Sequence, residues 1–127
     1  MSGEAYGAHE MTFNAAGDLS AKQYHFCKMT ADYTVGAAGA AAADVIGVIQ
    51  DNNANAAGKA VAVRSITEKS TRIVCGAAIA VGTRVTPNAA GRAVAATTGQ
   101  PFYGILAEAS GADGDIIEMQ FALGVMP

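Results

Sequence analysis

Two cysteines and two histidines carry the most reactive side chains of this chain. His25 and Cys27 are two positions apart, and Cys75 and His9 are the other soft ligands. A zinc site needs about four such ligands in close pairs, and this sequence has no such spacing. A Cys–His nucleophilic pair also needs a third, orienting group. We therefore interpret both cysteines as structural thiols and predict no catalytic residue, metal or cofactor; a small hydrolase built on His25 and Cys27 is the alternative.

Carboxylates and glycines form no complete ligand motif either. Asp113-Gly114-Asp115 resembles a fragment of a calcium loop, but the spacing of an EF-hand is missing, so a turn is the expected structure. The segment from Gly36 to Gly39 is not followed by the Lys and Ser/Thr of a phosphate-binding loop. These patterns favour a structural protein over an enzyme.

Charge and length exclude several further classes. The 127 residues carry a net charge of −3, and basic residues occur singly along the chain. Neither a nucleic acid nor an anionic membrane is therefore an expected partner. No apolar stretch reaches the roughly 20 residues of a transmembrane helix, and the N-terminus does not resemble a signal peptide, so we expect a protein that is made and used without secretion.

A repeated tetrapeptide, Asn-Ala-Ala-Gly, is the strongest local signal. It occupies Asn14 to Gly17, Asn55 to Gly58 and Asn88 to Gly91. Asn at the first position of a type I turn caps its own backbone, and Gly at the fourth tolerates the left-handed conformation. Each copy therefore predicts a hairpin reversal.

Short apolar or alternating runs between these turns predict strands. In Tyr24 to Lys28 the aromatic pair Tyr24 and Phe26 is expected on one strand face. Further strand candidates are residues 45–49, 61–64, 72–75, 83–86, 104–107 and 117–121. Gly47 and Gly104 occupy matching places in two strand–turn–strand units, where they predict strand bends or close approach of the backbone.

The predicted fold is all-β, a small β-barrel or β-sandwich of short strands with hairpin turns and at most one or two short helices. Six or seven strands with turn signals about every 8 to 12 residues support it. The segment Ala37 to Ala43 is alanine-rich but interrupted by Gly39, so it is either a short helix or a compact loop.

Four segments in this order resemble phage capsid decoration proteins, also called cement or head-stabilising proteins, of the DUF2190 type. They are residues 18–26, residues 43–51, residues 77–86 closing with 91–95, and residues 104–109 followed by 114–117; the resemblance extends over about residues 18–121. It implies a β-barrel-like or β-sandwich domain without an active site, located on the capsid exterior of the virion. It also implies a homo-oligomer, a trimer being favoured, that clamps neighbouring major capsid proteins. The alternative is a β-rich module of another phage or surface assembly, such as a tail, fibre or adhesin component.

Residues 1–16 precede the part that resembles this family, and we predict an extended N-terminal arm followed by one β-rich domain over residues 17–127. The arm carries Tyr6, His9, Met11 and Phe13 as candidate contacts to the capsid or to a neighbouring subunit. An extended arm can add a strand to an exposed sheet edge of a partner. In the other interpretation, Met11 to Phe13 simply form the first strand of the domain.

Overall fold

The computed structural model describes residues 10–127, which form ten β-strands and no helix. The all-β prediction is confirmed. The strands are β1 (Glu10–Ala15), β2 (Phe26–Ala31), β3 (Thr34–Ala37), β4 (Val45–Ile49), β5 (Ala60–Ser65), β6 (Ser70–Val74), β7 (Arg84–Pro87), β8 (Ala93–Ala95), β9 (Pro101–Leu106) and β10 (Ile116–Val125). Within these residues there is no helix that could span a membrane.

The first five strands close into a barrel in the order β1-β3-β2-β4-β5. Neighbours in this barrel are antiparallel except β1 and β3, which run parallel and pair only at Asn14 with Thr34 and at Ala15 with Val35. The barrel is therefore closed by one short parallel contact.

The other five strands form a second sheet in the order β6-β10-β9-β7-β8. Cys75, directly after β6, makes a parallel bridge to Ala93 of β8, and the N–H of Gly76 donates to the Ala93 carbonyl at 2.7 Å. The two edges of this sheet thus meet, and the sheet curls around its own core.

Strands β2 and β4 form a wall that both cores share. In β4, Val45 and Val48 pack into the second core, whereas Ile49 is buried inside the barrel. The register between β2 and β4 shifts by one residue within β4, and this bulge lets two side chains three positions apart face the same way. The uninterrupted apolar run of β4 is the consequence of burial on both sides.

Two clusters of buried side chains account for the cores. The barrel core consists of Ala15, Leu19, Cys27, Val35, Ile49, Ala54, Val61 and Val63. The second core consists of Phe26, Ala38, Val45, Val48, Ile73, Cys75, Ile79, Val85, Ala93, Tyr103, Leu106, Ile117 and Met119. Residues from both halves of the chain meet in the second core, as in the contact between the rings of Phe26 and Tyr103, whose centroids are 6.0 Å apart.

The third Asn-Ala-Ala-Gly copy forms the predicted hairpin between β7 and β8. The Asn88 Oδ1 accepts the N–H groups of Ala90 at 2.9 Å and Arg92 at 3.0 Å, and Gly91 has φ +87°. In the second copy Gly58 also has a positive φ of +85°, but the turn is one residue later, because the N–H of Lys59 donates to the Ala56 carbonyl at 3.2 Å.

The first copy does not form a hairpin, contrary to the sequence interpretation of Asn14 and Gly17. Asn14 lies in β1, where it pairs with Ala60, and its N–H donates to the Tyr33 carbonyl at 2.7 Å. Gly17 follows in an open bend with no positive φ. Pairing on both sides of β1 therefore overrides the local turn preference.

Residues 10–15 of the segment predicted as an arm belong to the barrel. Met11 pairs with Val63 and Phe13 with Val61 of β5, so the second interpretation, a first strand of the domain, describes them. Residues 1–9 lie outside the described part of the chain. Removing residues 1–16 would therefore remove β1 together with the arm.

Two further expectations are settled by the backbone. The strand predicted from Tyr24 begins only at Phe26, because Tyr24 has φ +62° and lies in a turn. The alanine-rich segment 37–43 leaves β3 as a compact loop, not a helix.

Gly47 and Gly104 mark close approach as predicted: a Cβ at Gly47 would meet the Arg64 carbonyl oxygen, and one at Gly104 would meet the Met119 side chain.

Candidate binding surface

The alternation of β1 carries apolar side chains from the barrel core to one open end. Ala15 is buried in the core, Phe13 packs against that core from a half-buried position, and Met11 is 56% exposed at the rim. All three are odd-numbered strand residues and share one face. We call this open end, together with the side chains that line it, the barrel mouth.

A pocket of about 210 Å³ occupies the barrel mouth. It is lined by Met11, Phe13, Met29, Ile46, Val63 and Ser65. Five of these six side chains are apolar, and the two methionines are flexible enough to fit differently shaped partners. The pocket has the chemistry to accept one large apolar side chain.

A wider groove of about 720 Å³ lies beside this pocket, over the β2–β3 turn. Its lining consists of Phe13, Met29, Thr30, Ala31, Asp32 and Tyr33. Tyr33 is 75% exposed and has φ +50°, which is unusual for a residue with a Cβ. Phe13 and Met29 belong to both depressions, so the pocket and the groove form one continuous surface.

An ion pair flanks the barrel mouth on the side of β5. Arg64 donates from Nη2 to Glu10 Oε2 at 2.8 Å and from Nη1 to the Ser70 carbonyl at 3.3 Å. Both side chains are partly exposed, so the pair contributes at most about 1 kcal/mol. It joins the first residue of β1 to β5 and fixes this side of the mouth.

The candidate contact residues chosen from the sequence have different outcomes. The structure brings Met11 and Phe13 together at the barrel mouth, while Tyr6 and His9 lie outside the described residues. Sequence reasoning missed Met29 and Tyr33. The signal for Met29 was available, because it continues the inward face of β2 that begins with Cys27.

His25 and Cys27 do not form a catalytic pair. Cys27 is fully buried in the barrel core, its thiol donates to the Gly47 carbonyl at 3.5 Å, and burial raises its pKa to about 12. A nucleophilic cysteine needs the opposite shift, toward the thiolate. Cys75 is also a buried free thiol, and burial raises its pKa as well.

His25 instead lies in a polar cluster at the junction of the barrel and the second sheet. Its Nδ1 lies 3.0 Å from the Gln23 carbonyl, so Nδ1 carries the proton and Nε2 accepts from Arg92 Nε at 3.4 Å. Arg92 also bonds Asp113 at 2.7 Å. Burial lowers the pKa of His25, and the charges of Lys22 and Arg92 lower it further, which keeps the ring neutral.

No metal centre is found within residues 10–127, where three or more His, Cys, Asp or Glu side chains never converge. The Asp113–Asp115 segment is a turn in which Asp115 Oδ2 accepts the N–H groups of Gly111 at 2.8 Å and Ala112 at 3.1 Å. This carboxylate therefore stabilises the loop that precedes β10 by accepting two of its backbone N–H groups.

The fold and the surface together define a class: an all-β protein of two packed, barrel-like units with an exposed apolar mouth on the first. A solved structure with the same fold is the gp8.5 N base of the head fiber in bacteriophage phi29. The TM-score is 0.71 at 15% sequence identity, over 93% of this chain and 97% of that one. At this identity the likeness shows the fold alone. No family model matches the sequence, and the comparison with curated proteins gives no match.

Proposed function

We propose that this protein is a structural component of a phage virion that decorates the outside of the head. The observation that carries the proposal is the shared fold with a phage head fiber base, which extends over nearly the whole of both chains. The four sequence segments that resemble capsid decoration proteins support the same assignment independently. In this role the protein is a binding component and has no enzymatic activity.

The barrel mouth is the contact surface in this proposal. Met11, Met29 and Tyr33 are all large, apolar in part and exposed, and they line the pocket and the adjoining groove. Clustered exposed apolar side chains of this kind mark sites of protein–protein contact. The partner is the major capsid protein, and the protein acts as a homo-oligomer, with a trimer favoured.

A second candidate function is the base of a fibre. The similarity to a head fiber base favours it specifically, because that protein is named as part of a fibre and not as a cement protein. Both candidates bind a phage head, but a decoration protein occupies the lattice repeatedly, whereas a fibre base carries a further elongated part.

Binding to purified heads of the phage that encodes this chain tests the proposal. The protein is mixed with expanded heads, the heads are sedimented, and the bound copies are located by electron cryomicroscopy. We expect many copies at equivalent outer positions and greater resistance of the heads to heat. Attachment under elongated fibres would support the second candidate, and absence of binding to heads would overturn both.

Substitutions at the barrel mouth make this test specific. Met11→Gln is expected to weaken head binding, whereas Leu123→Gln is not, because Leu123 has almost the same exposure, 54% against 56%, but lies on β10 of the second sheet. Equal binding by the two variants would show that the mouth is not the contact surface.

A further inference from the structure

Strand β1 is paired along nearly its whole length on one side but only at its end on the other. Five residues of β1, Glu10 to Asn14, pair with β5. On the opposite side pairing with β3 begins at Asn14 and includes only Asn14 and Ala15. The part of β1 from Glu10 to Phe13 therefore has a free edge as far as residues 10–127 are concerned; we call it the β1 seam.

The hydrogen bonds around β1 show which main-chain groups face this seam. The N–H of Ala15 donates to the Lys59 carbonyl at 2.8 Å, toward the β5 side, and the N–H of Asn14 donates to the Tyr33 carbonyl at 2.7 Å, toward β3. Main-chain groups alternate in direction along a strand, so the N–H and C=O of Thr12 also point to the seam. Thr12 is exposed, and in the described part of the chain no strand pairs with it on that side.

The seam opens onto the apolar surface already described. Phe13, next to Thr12, lines both the pocket and the wider groove, and Met29 lines both from the opposite side. A strand lying along the seam would place alternate side chains toward the barrel interior and toward solvent. An inward side chain would then enter the 210 Å³ pocket between Phe13 and Met29.

We propose that the β1 seam is a docking edge for an extended segment of a virion partner protein, which adds a short strand beside Glu10 to Phe13. The segment spans about 10 Å, or roughly three residues, at the rise of a β-strand. It contributes one large apolar side chain to the pocket and accepts and donates main-chain hydrogen bonds at Thr12. This inference rests on the proposed function for the source of the segment.

The charge around the groove predicts which charge the docking segment of the partner should carry. The exposed carboxylate of Asp32 is the one charged group among the six residues that line the groove. The nearby cation, Arg64, already holds Glu10 at 2.8 Å. A basic residue at the end of the segment beside Asp32 is therefore the complementary choice, and an acidic one is disfavoured.

A library of random nine-residue peptides displayed on yeast tests this mode of binding without any phage head. The fluorescently labelled full-length protein sorts the library, and the affinity of selected synthetic peptides is then measured by fluorescence anisotropy. We expect the selected peptides to share a large apolar residue and a basic residue near one end. Failure to select any peptide that prefers the native protein to Met29→Gln would overturn the proposal.

Thr12→Pro tests the main-chain bonds directly. Proline removes the N–H that faces the seam and leaves the bonds of Met11 and Phe13 to β5 intact, and proline is tolerated where a strand N–H faces solvent. We expect peptide affinity to fall at least about tenfold, which corresponds to roughly one hydrogen bond. Melting curves check that Thr12→Pro folds. If it does not fold, Met29→Gln replaces it in the test, and we expect this variant to lose a similar factor in peptide affinity.

Two other occupants give different results. If the protein without residues 1–9 binds peptides that the full chain does not bind, the N-terminal segment of the chain itself fills the seam. If Met29→Gln turns an oligomer into a monomer in sedimentation, a second copy fills it. Either result overturns the proposal of a separate partner.

The peptide and head-binding assays separate this inference from the proposed function. Peptide binding that is lost in Thr12→Pro, without any binding to heads, would leave the docking edge in place and refute the virion role. Head binding that is unchanged in both Thr12→Pro and Met29→Gln would refute the docking edge and leave the virion role in place.

Discussion

Gly58 and Gly91 form a natural matched pair for measuring how the barrel docks on the second sheet. Both are in turns with nearly the same positive φ, +85° and +87°. A Cβ at Gly58 would have no atom within 4 Å, whereas one at Gly91 would lie 3.0 Å from the Phe26 carbonyl oxygen and 3.4 Å from the Ala38 carbonyl oxygen. Alanine therefore produces the same backbone strain at both sites but a steric conflict only at Gly91.

The expected losses of unfolding free energy follow from the backbone strain that both sites share and from the steric conflict at Gly91 alone. A non-glycine residue in the left-handed region costs about 1 kcal/mol, and the lower entropy of the unfolded chain offsets part of this equally at both sites. At Gly91 the conflict involves main-chain atoms, and the Gly91 carbonyl also accepts the Phe26 N–H at 2.8 Å. Moving the turn away from Phe26 weakens this hydrogen bond, which adds about 1 kcal/mol to the loss of unfolding free energy in Gly91→Ala.

Urea denaturation followed by far-ultraviolet circular dichroism measures the comparison. We expect Gly91→Ala to reduce the free energy of unfolding by about 1 kcal/mol more than Gly58→Ala, at an unchanged slope. Equal losses would show that the Gly91 turn does not hold the two halves together. A null effect of a Gly58→Val substitution would refute the positive-φ assignment itself.

Three further predictions concern the interior. Gly47→Ala is expected to lower the free energy of unfolding by about 3 kcal/mol, because its Cβ would collide with the main chain of β5; Gly39→Ala, with open space around it, is the control in the same denaturation assay. Cys27 and Cys75 are expected to resist a thiol reagent at neutral pH in the folded protein and to react on unfolding, since burial raises the pKa of both thiols; rapid labelling before unfolding would contradict this. Burial holds the pKa of His25 below its ordinary value of 6.5, so the unfolded chain binds its proton first as the pH falls. The contribution to stability is therefore complete above pH 6.5 and is lost as the pH drops through that value toward the lower folded pKa; titrating the unfolding free energy should show this slope, and His25→Gln should remove it.

Local sequence signals predicted the strands that are marked by a continuous apolar run or by a regular alternation. The β4 run from Val45 to Ile49 and the alternating residues of β10 appear where expected, and the third tetrapeptide copy makes the predicted hairpin at Asn88. In each case neighbouring residues alone determine the pattern. The paired glycines Gly47 and Gly104 were also interpreted correctly, since a glycine inside a strand often marks a close approach of neighbouring atoms.

Features that depend on distant pairing were not predictable in this way. Asn14 carries the same tetrapeptide as Asn88 but lies inside a strand, because β3 and β5 both pair with it. For the same reason the sequence placed Met11 and Phe13 on one face but did not indicate that Met29 lies beside them. The alternation of β2 gives the inward direction of Met29, whereas its neighbours depend on the closure of the barrel. A turn motif or an alternating run gives a local conformational preference. Pairing with distant strands then determines whether that conformation forms and what the side chains contact.

The wall shared by β2 and β4 also has a consequence for the newly made chain. The barrel strands, residues 10–65, are synthesised before residues 70–125, and folding during synthesis generally begins at the N-terminal part of a chain. Until then Phe26, Val45 and Val48, which have 0% to 4% exposure in the finished protein, lie on the outside of the nascent barrel. We therefore expect the newly made barrel to expose an apolar surface that is covered only when the second sheet packs against it.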